Sequence, residues 1–184
     1  EKVDEALERL RLNHFPRYQA LALRLAFDED SPMELESWRK DQSHRIFHSF
    51  LNRLKAAGYE TAFEEKEDSL TLIVNFRPET PVLASSSVRD LFDAVRKNFQ
   101  EFSFQYDIAV SNETTRFRLP DAGRQILEIQ RLMRLFGSHG NVLSYDDLGI
   151  YKIFLTSDNL GHLSDFIPQK FQDFAGTYPD LANT

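Results

Sequence analysis

The chain contains no cysteine, which excludes disulfides and thiolate metal sites and fits a reducing cytosol. It has no apolar run near the roughly 18 residues that a membrane helix requires. Positive charge is in short supply: 22 Lys and Arg against 29 Asp and Glu leave a net charge of -7. A domain that neutralises DNA phosphates normally carries a basic face, so this chain by itself is a poor candidate for binding DNA. The segment EKVDEALERLRLN at the start is charged and helical in pattern, and does not read as a secretory signal. No internal repeat, low-complexity tract, Gly-x-Ser-x-Gly elbow or phosphate-binding loop occurs. What the chain does have is 184 residues, enough for one domain, and 16 phenylalanines for an aromatic-rich core.

Residues 1–15 place Val3, Ala6, Leu7 and Leu10 on one helical stripe. Two readings stay open for them, a connector from an upstream domain or an ordinary packed first helix. Tyr18–Phe27 then alternates, with Leu21, Leu23, Leu25 and Phe27 facing one way and Ala20, Ala22 and Ala26 the other. Apolar residues on both faces predict a central strand covered above and below. Ser31-Pro32-Met33-Glu34 has the capping-box spacing with proline at the first helical position. The helix that follows carries Leu35, Trp38, Ile46, Phe47, Phe50, Leu51 and Leu54, and stops at Gly58.

Two strands, Tyr59–Glu64 and Ser69–Phe76, flank the charged turn Glu64–Asp68. Ser85, Ser86 and Ser87 are expected to cap a helix that buries Val88, Leu91, Phe92, Val95 and Phe99. A strand over Phe102–Val110 precedes a helix from Pro120 to Phe136, with Ala122, Ile126, Ile129, Met133 and Phe136 on one side. Gly137 and Gly140 lead into a short strand, Asn141–Tyr145, and a further helix begins near Leu148. Pro168, costing about 3 kcal/mol inside a helix, is expected to break the last helical stretch and start a short one through Phe174. The order predicts an α+β fold, a ferredoxin-like palm with a mostly antiparallel central sheet and helices packed on it.

That order, with the hairpin after the long helix, resembles the palm of GGDEF-type nucleotide cyclases. Two segments, DAGRQILEIQRLMRLFG (Asp121–Gly137) and NVLSYDDLGIYKIF (Asn141–Phe154), resemble the GGDEF-like domain of PucR/CdaR-type bacterial transcription regulators, in which a similar helix precedes a strand ending in such a motif. The resemblance spans roughly residues 16–155. It implies a regulatory domain over residues 16–156, and residues 157–184 as a helical lead-in to a helix-turn-helix domain outside this sequence. On this reading the domain is cytoplasmic and non-catalytic. It relays an upstream signal, as a homodimer, to a DNA-binding domain that alone touches DNA. The alternative is a small-molecule sensor that uses the former cyclase cleft for a nucleotide or metabolite effector.

Aligned on the second hairpin strand, Lys66-Glu67-Asp68-Ser69-Leu70 stands where the cyclase motif would stand. Long charged side chains replace both glycines, Ser69 replaces the glutamate, and Asp68 alone matches. Shifting the register by one residue offers Glu67 but restores no glycine. A cyclase needs carboxylates to hold divalent metal and glycines to admit the nucleotide. In the first strand the metal-binding aspartate position falls within the apolar run, and Asp28, Glu29 and Asp30 lie beyond its end. No Arg-x-x-Asp inhibitory site precedes the hairpin. These residues predict no catalytic centre, no cofactor and no metal.

Other patterns are read structurally. Asp41, His44 and His48 share one helical stripe with a zinc-like His-x-x-x-His spacing, but His44 is followed by Arg45, not the glutamate of a metalloprotease helix, and the stripe reads as a half-buried rim. Gly137-Ser138-His139-Gly140 reads as a turn, and Arg124, Arg131 and Arg134 as a solvated face. In Tyr145-Asp146-Asp147-Leu148-Gly149, one aspartate is expected to cap a helix while Leu148, Ile150, Tyr151, Ile153 and Phe154 pack. Gly149 suggests close backbone approach.

Overall fold

The computed structural model describes residues 2–27, 35–101, 103–136 and 140–149. The chain divides into two compact units, Glu1–Asp147 and Leu148–Thr184. Only Leu148 and Gly149 of the second are among the described residues. The first unit is α+β: α1 (Lys2–Arg9), β1 (Arg17–Phe27), α2 (Leu35–Ala56), β2 (Glu60–Glu65), β3 (Ser69–Phe76), α3 (Ser85–Arg96), β4 (Phe104–Val110), α4 (Leu119–Phe136) and β5 (Asn141–Ser144). The strands form one mixed sheet in the order β2-β3-β1-β4-β5. Pairings β2–β3, β3–β1 and β1–β4 are antiparallel, and β5 runs parallel to β4. No helix among the described residues is long and apolar enough to cross a membrane.

The composition of β1 explains the layering. Leu21, Leu23 and Leu25 are buried in one core with Ile46, Phe47, Phe50 and Leu54 of α2 and Val88, Phe92 and Val95 of α3. Each such side chain withdrawn from water contributes about 1.5–3 kcal/mol. On the other face Ala20 and Ala22 are also buried, and Ala22 stands opposite Ala109 of β4. These small side chains let α4 pack on β1 and β4 through Ala122, Ile126, Ile129 and Met133. Leu132 is buried as well, a position outside the predicted stripe. Phe92 centres an aromatic cluster, edge-on to Phe50 at 5.5 Å and 4.4 Å from Tyr106. Burial and the neighbouring Asp93 carboxylate push the Tyr106 hydroxyl up to about 12.

Several sequence expectations shift. Leu10 is exposed, because α1 ends at Arg9 and Arg11 takes a φ of 56°. Leu7 and Leu12 are buried instead, against Tyr18, Ala62, Ile73 and Leu119. The α3 cap is Ala84, with no side-chain cap; Ser87 Oγ accepts the Ala84 N–H at 3.0 Å from within the first turn. Gly58 does stop α2, with φ 93°. Ser31–Glu34, Phe136's side chain, Gly137–His139 and everything from Ile150 onward, Pro168 included, lie outside the described residues or side chains.

Three buried polar side chains replace ladder bonds that loops do not make. Gln19 Nε2 donates to the carbonyls of Leu83 (3.1 Å) and Ser111 (2.9 Å), and its Oε1 accepts the Leu83 N–H at 2.8 Å. Ser111 Oγ accepts the Ala20 N–H at 2.8 Å. Asn75 donates to the carbonyls of Phe15 and Arg17 and accepts the Phe15 N–H. Removing such a partner strands buried groups at about 1–3 kcal/mol each. Gln19→Leu, which keeps the volume and removes all three hydrogen bonds, is therefore expected to lower the urea midpoint by at least that cost, without changing the slope of the transition.

Candidate functional site

The hairpin turn closes on itself. The Lys66 N–H donates to the Ser69 carbonyl at 2.8 Å, and the return bond is 3.4 Å, leaving Glu67 and Asp68 as a two-residue loop. Two-residue hairpins favour left-handed residues such as glycine. Here Arg11 is the one non-glycine with positive φ among the described residues, so Glu67 and Asp68 sit without that strain. The Asp68 carbonyl accepts the Leu25 N–H at 2.8 Å, which leans the turn on the end of β1. Lys66, Glu67 and Asp68 are exposed, Ser69 pairs with Arg24, and Leu70 is fully buried in the core. Asp28, Glu29 and Asp30 lie outside the described residues.

The motif after β5 is a junction between elements. The Tyr145 N–H donates to the Val110 carbonyl at 2.9 Å, extending the parallel pairing. Burial, with the adjacent Glu128 carboxylate, raises the Tyr145 hydroxyl above its ordinary value. Asp146 Oδ1 accepts from Asn112 Nδ2 at 3.0 Å, and the Asn112 N–H donates to Gln125 Oε1 at 2.8 Å, which ties the turn to the loop before α4. Asp147 Oδ2 accepts both the N–H and the hydroxyl of Ser144 at 2.7 Å.

The Ser85 hydroxyl and the charge of Arg89, both on α3, also favour the ionised form of this carboxylate. Alanine at the α3 cap, with no acidic residue in the first turn, leaves that helix end without its own anion. Asp147 supplies one from the turn after β5, which packs against α3, where the helix dipole favours negative charge. The helix expected after Leu148 lies outside the described residues beyond the short turn Asp146–Leu148. Gly149 has a φ of 50°, and a Cβ there would meet nothing within 4 Å. Backbone conformation, not close approach, accounts for it.

Other predicted positions are dispersed. Asp121 is gripped by Arg118 at 2.9 Å and by Arg124, so Arg124 is engaged in an ion pair beside the exposed Arg131 and Arg134. His44 and His48 lie on the side of α2 that meets β2, where Glu65 stands against them; Asp41 is not in that group. Glu65 was missed because it is remote in sequence, although the period-2 pattern of β2 puts it on the same face as Phe63. A cleft of about 630 Å³ opens between the end of α3 and the start of β4, lined by Asp93, Arg96, Lys97, Phe99 and Phe104. No hairpin residue lines it. Comparisons with protein-family models, curated proteins and solved structures returned no match.

Asp147 generates a pH-dependent expectation. Burial opposes its ionisation, but the bonds from Ser144, the Ser85 hydroxyl and the charge of Arg89 outweigh it and hold the carboxyl below its ordinary value of 3.8. A depressed folded-state value stabilises the fold above the unfolded value, and the gain disappears as the pH falls through the folded one. Asp147→Ala is thus expected to be less stable than the wild type at neutral pH, with the gap shrinking below about pH 4. Urea midpoints across that range measure it, and a gap independent of pH would count against the assignment.

Proposed function

We propose that this chain is a non-catalytic signalling and dimerisation domain of a PucR/CdaR-type transcription regulator, acting in the cytosol and passing an upstream signal to a DNA-binding domain beyond this sequence. The strand order β2-β3-β1-β4, with α2 and α3 on one face, supports a ferredoxin-like palm of the GGDEF type, in which two split βαβ units interleave. The observation that carries the reading is the hairpin turn. At the two glycine positions it bears Lys66 and Glu67, exposed long side chains where close approach of a nucleotide to the backbone calls for glycine. The turn is complete by its own backbone bonds and by the bond to β1. The YDDLG segment supports the same conclusion, since its aspartates accept hydrogen bonds from Asn112 and Ser144.

A second reading, an effector sensor, is favoured by the cleft at the end of α3, where Arg96 and Lys97 alternate with Asp93 and Glu101 and suit a small polar, charged ligand such as a nucleotide or metabolite. This cleft is a different place from the former cyclase cleft beside the hairpin, since no hairpin residue lines it.

Incubation with GTP and magnesium or manganese is expected to give no cyclic dinucleotide, and sedimentation equilibrium of the intact protein a dimer. Product that Asp68→Ala abolishes, or a strict monomer at all concentrations, would overturn the corresponding half of the proposal. Thermal-shift titration with nucleotides separates the two readings, because the sensor reading requires stabilisation that Arg96→Ala removes.

A further inference from the structure

His44 and His48 stand four residues apart on α2, so their rings lie one above the other, with centroids 4.1 Å apart. Glu65, the last residue of β2, reaches both. His44 Nδ1 lies 2.9 Å from Glu65 Oε1, and His48 Nε2 lies 3.6 Å from Glu65 Oε2. One donor atom from each residue falls within 4.8 Å of the other two, and among the described residues this is the one such group of three. Four donors placed about 2.1 Å from a tetrahedral Zn(II) are about 3.4 Å from one another. Each histidine meets a different Glu65 oxygen at close to that spacing, so turning one carboxylate oxygen toward both nitrogens brings the three donors round one cation.

The surroundings favour an open site. Phe63, on the same strand face as Glu65, meets the His48 ring edge-on at 5.8 Å and restricts its rotation. The histidine side chains are 58% and 44% exposed, and Glu65 is 24% exposed, which leaves water access to a fourth coordination position. Two imidazoles and one carboxylate are a donor set for borderline transition ions, whereas calcium and magnesium require oxygen-only shells. Zinc takes this combination with water as the fourth ligand.

We propose that His44, His48 and Glu65 form a mononuclear Zn(II)-class site that clips α2 to the edge strand β2, with a water-accessible fourth position. It does not depend on the transcriptional reading and involves none of the residues that carry it. The cation would bridge two elements that follow one another in sequence but are otherwise joined only through packing and polar contacts. Its open position could accept a donor from a binding partner without altering the three protein ligands.

Calorimetric titration of the untagged protein with zinc chloride, alongside visible spectroscopy with cobalt(II), tests this. One saturable equivalent is expected, with the d–d bands of low-coordinate cobalt. His44→Ala, His48→Ala and Glu65→Gln should each weaken binding by about tenfold or more. His14→Ala is the control, because His14 pairs with Glu60 elsewhere, and should bind as the wild type does. Absence of saturable binding, or retention of wild-type affinity in the three ligand variants, would overturn the site. Glu65→Gln preserves side-chain shape, so it stays informative if an alanine variant is poorly folded by circular dichroism.

Discussion

Two-sided burial of β1 is the constraint on which the rest of the structure depends. A strand apolar on both faces is stable only where helices cover both, and where neighbouring strands satisfy both backbone edges. Here β3 and β4 take the edges, α2 and α3 cover the leucine face, and α4 covers the alanine face. Every other element follows from these demands. The hairpin β2–β3 brings β3 to one edge, and the α3 crossover returns the chain to the other. Packing of α4 over the second face then brings the chain back to lay β5 beside β4.

Much of this was legible in the sequence because periodicity reports burial directly. The alternation in β1, the stripe on α3 and the glycine ending α2 each reappear in the structure. The polar stitches were not legible. Gln19 sits at a strand position where alternation says nothing about a loop carbonyl 64 residues away, yet it is almost fully buried and fully engaged. The α3 cap was misassigned for a related reason. Three consecutive serines signal a helix start, but the pattern cannot show that the stabilising anion arrives from Asp147 after β5. Glu65 was hidden in the same way, since a charged strand end reads as solvated until α2 is laid against it.

The hairpin and the YDDLG turn occupy different ends of the described unit, and their chemistry differs accordingly. The first is a self-satisfied charged loop whose bond to β1 leaves its side chains in solvent. The second is a junction, where Asp146 and Asp147 join the loop before α4 to the first turn of α3. Acidic residues in the same domain thus serve as surface charge in one place and as structural anions in the other. Hydrogen-bond partners separate the roles, where residue type and exposure do not.

The alanine face of β1 and β4 has a positional consequence. With Ala20, Ala22 and Ala109 beneath it, α4 meets only methyl groups from the sheet at those positions, and its own Ile126, Ile129 and Met133 fill the space between. Gln125 of α4 is bonded to Asn112, and Asn112 to Asp146, so the helix and the strand-end turn are joined by side chains as well as by packing. The face that carries the smallest side chains of the sheet thus fixes where α4 sits, and with it the loop and turn that α4 holds.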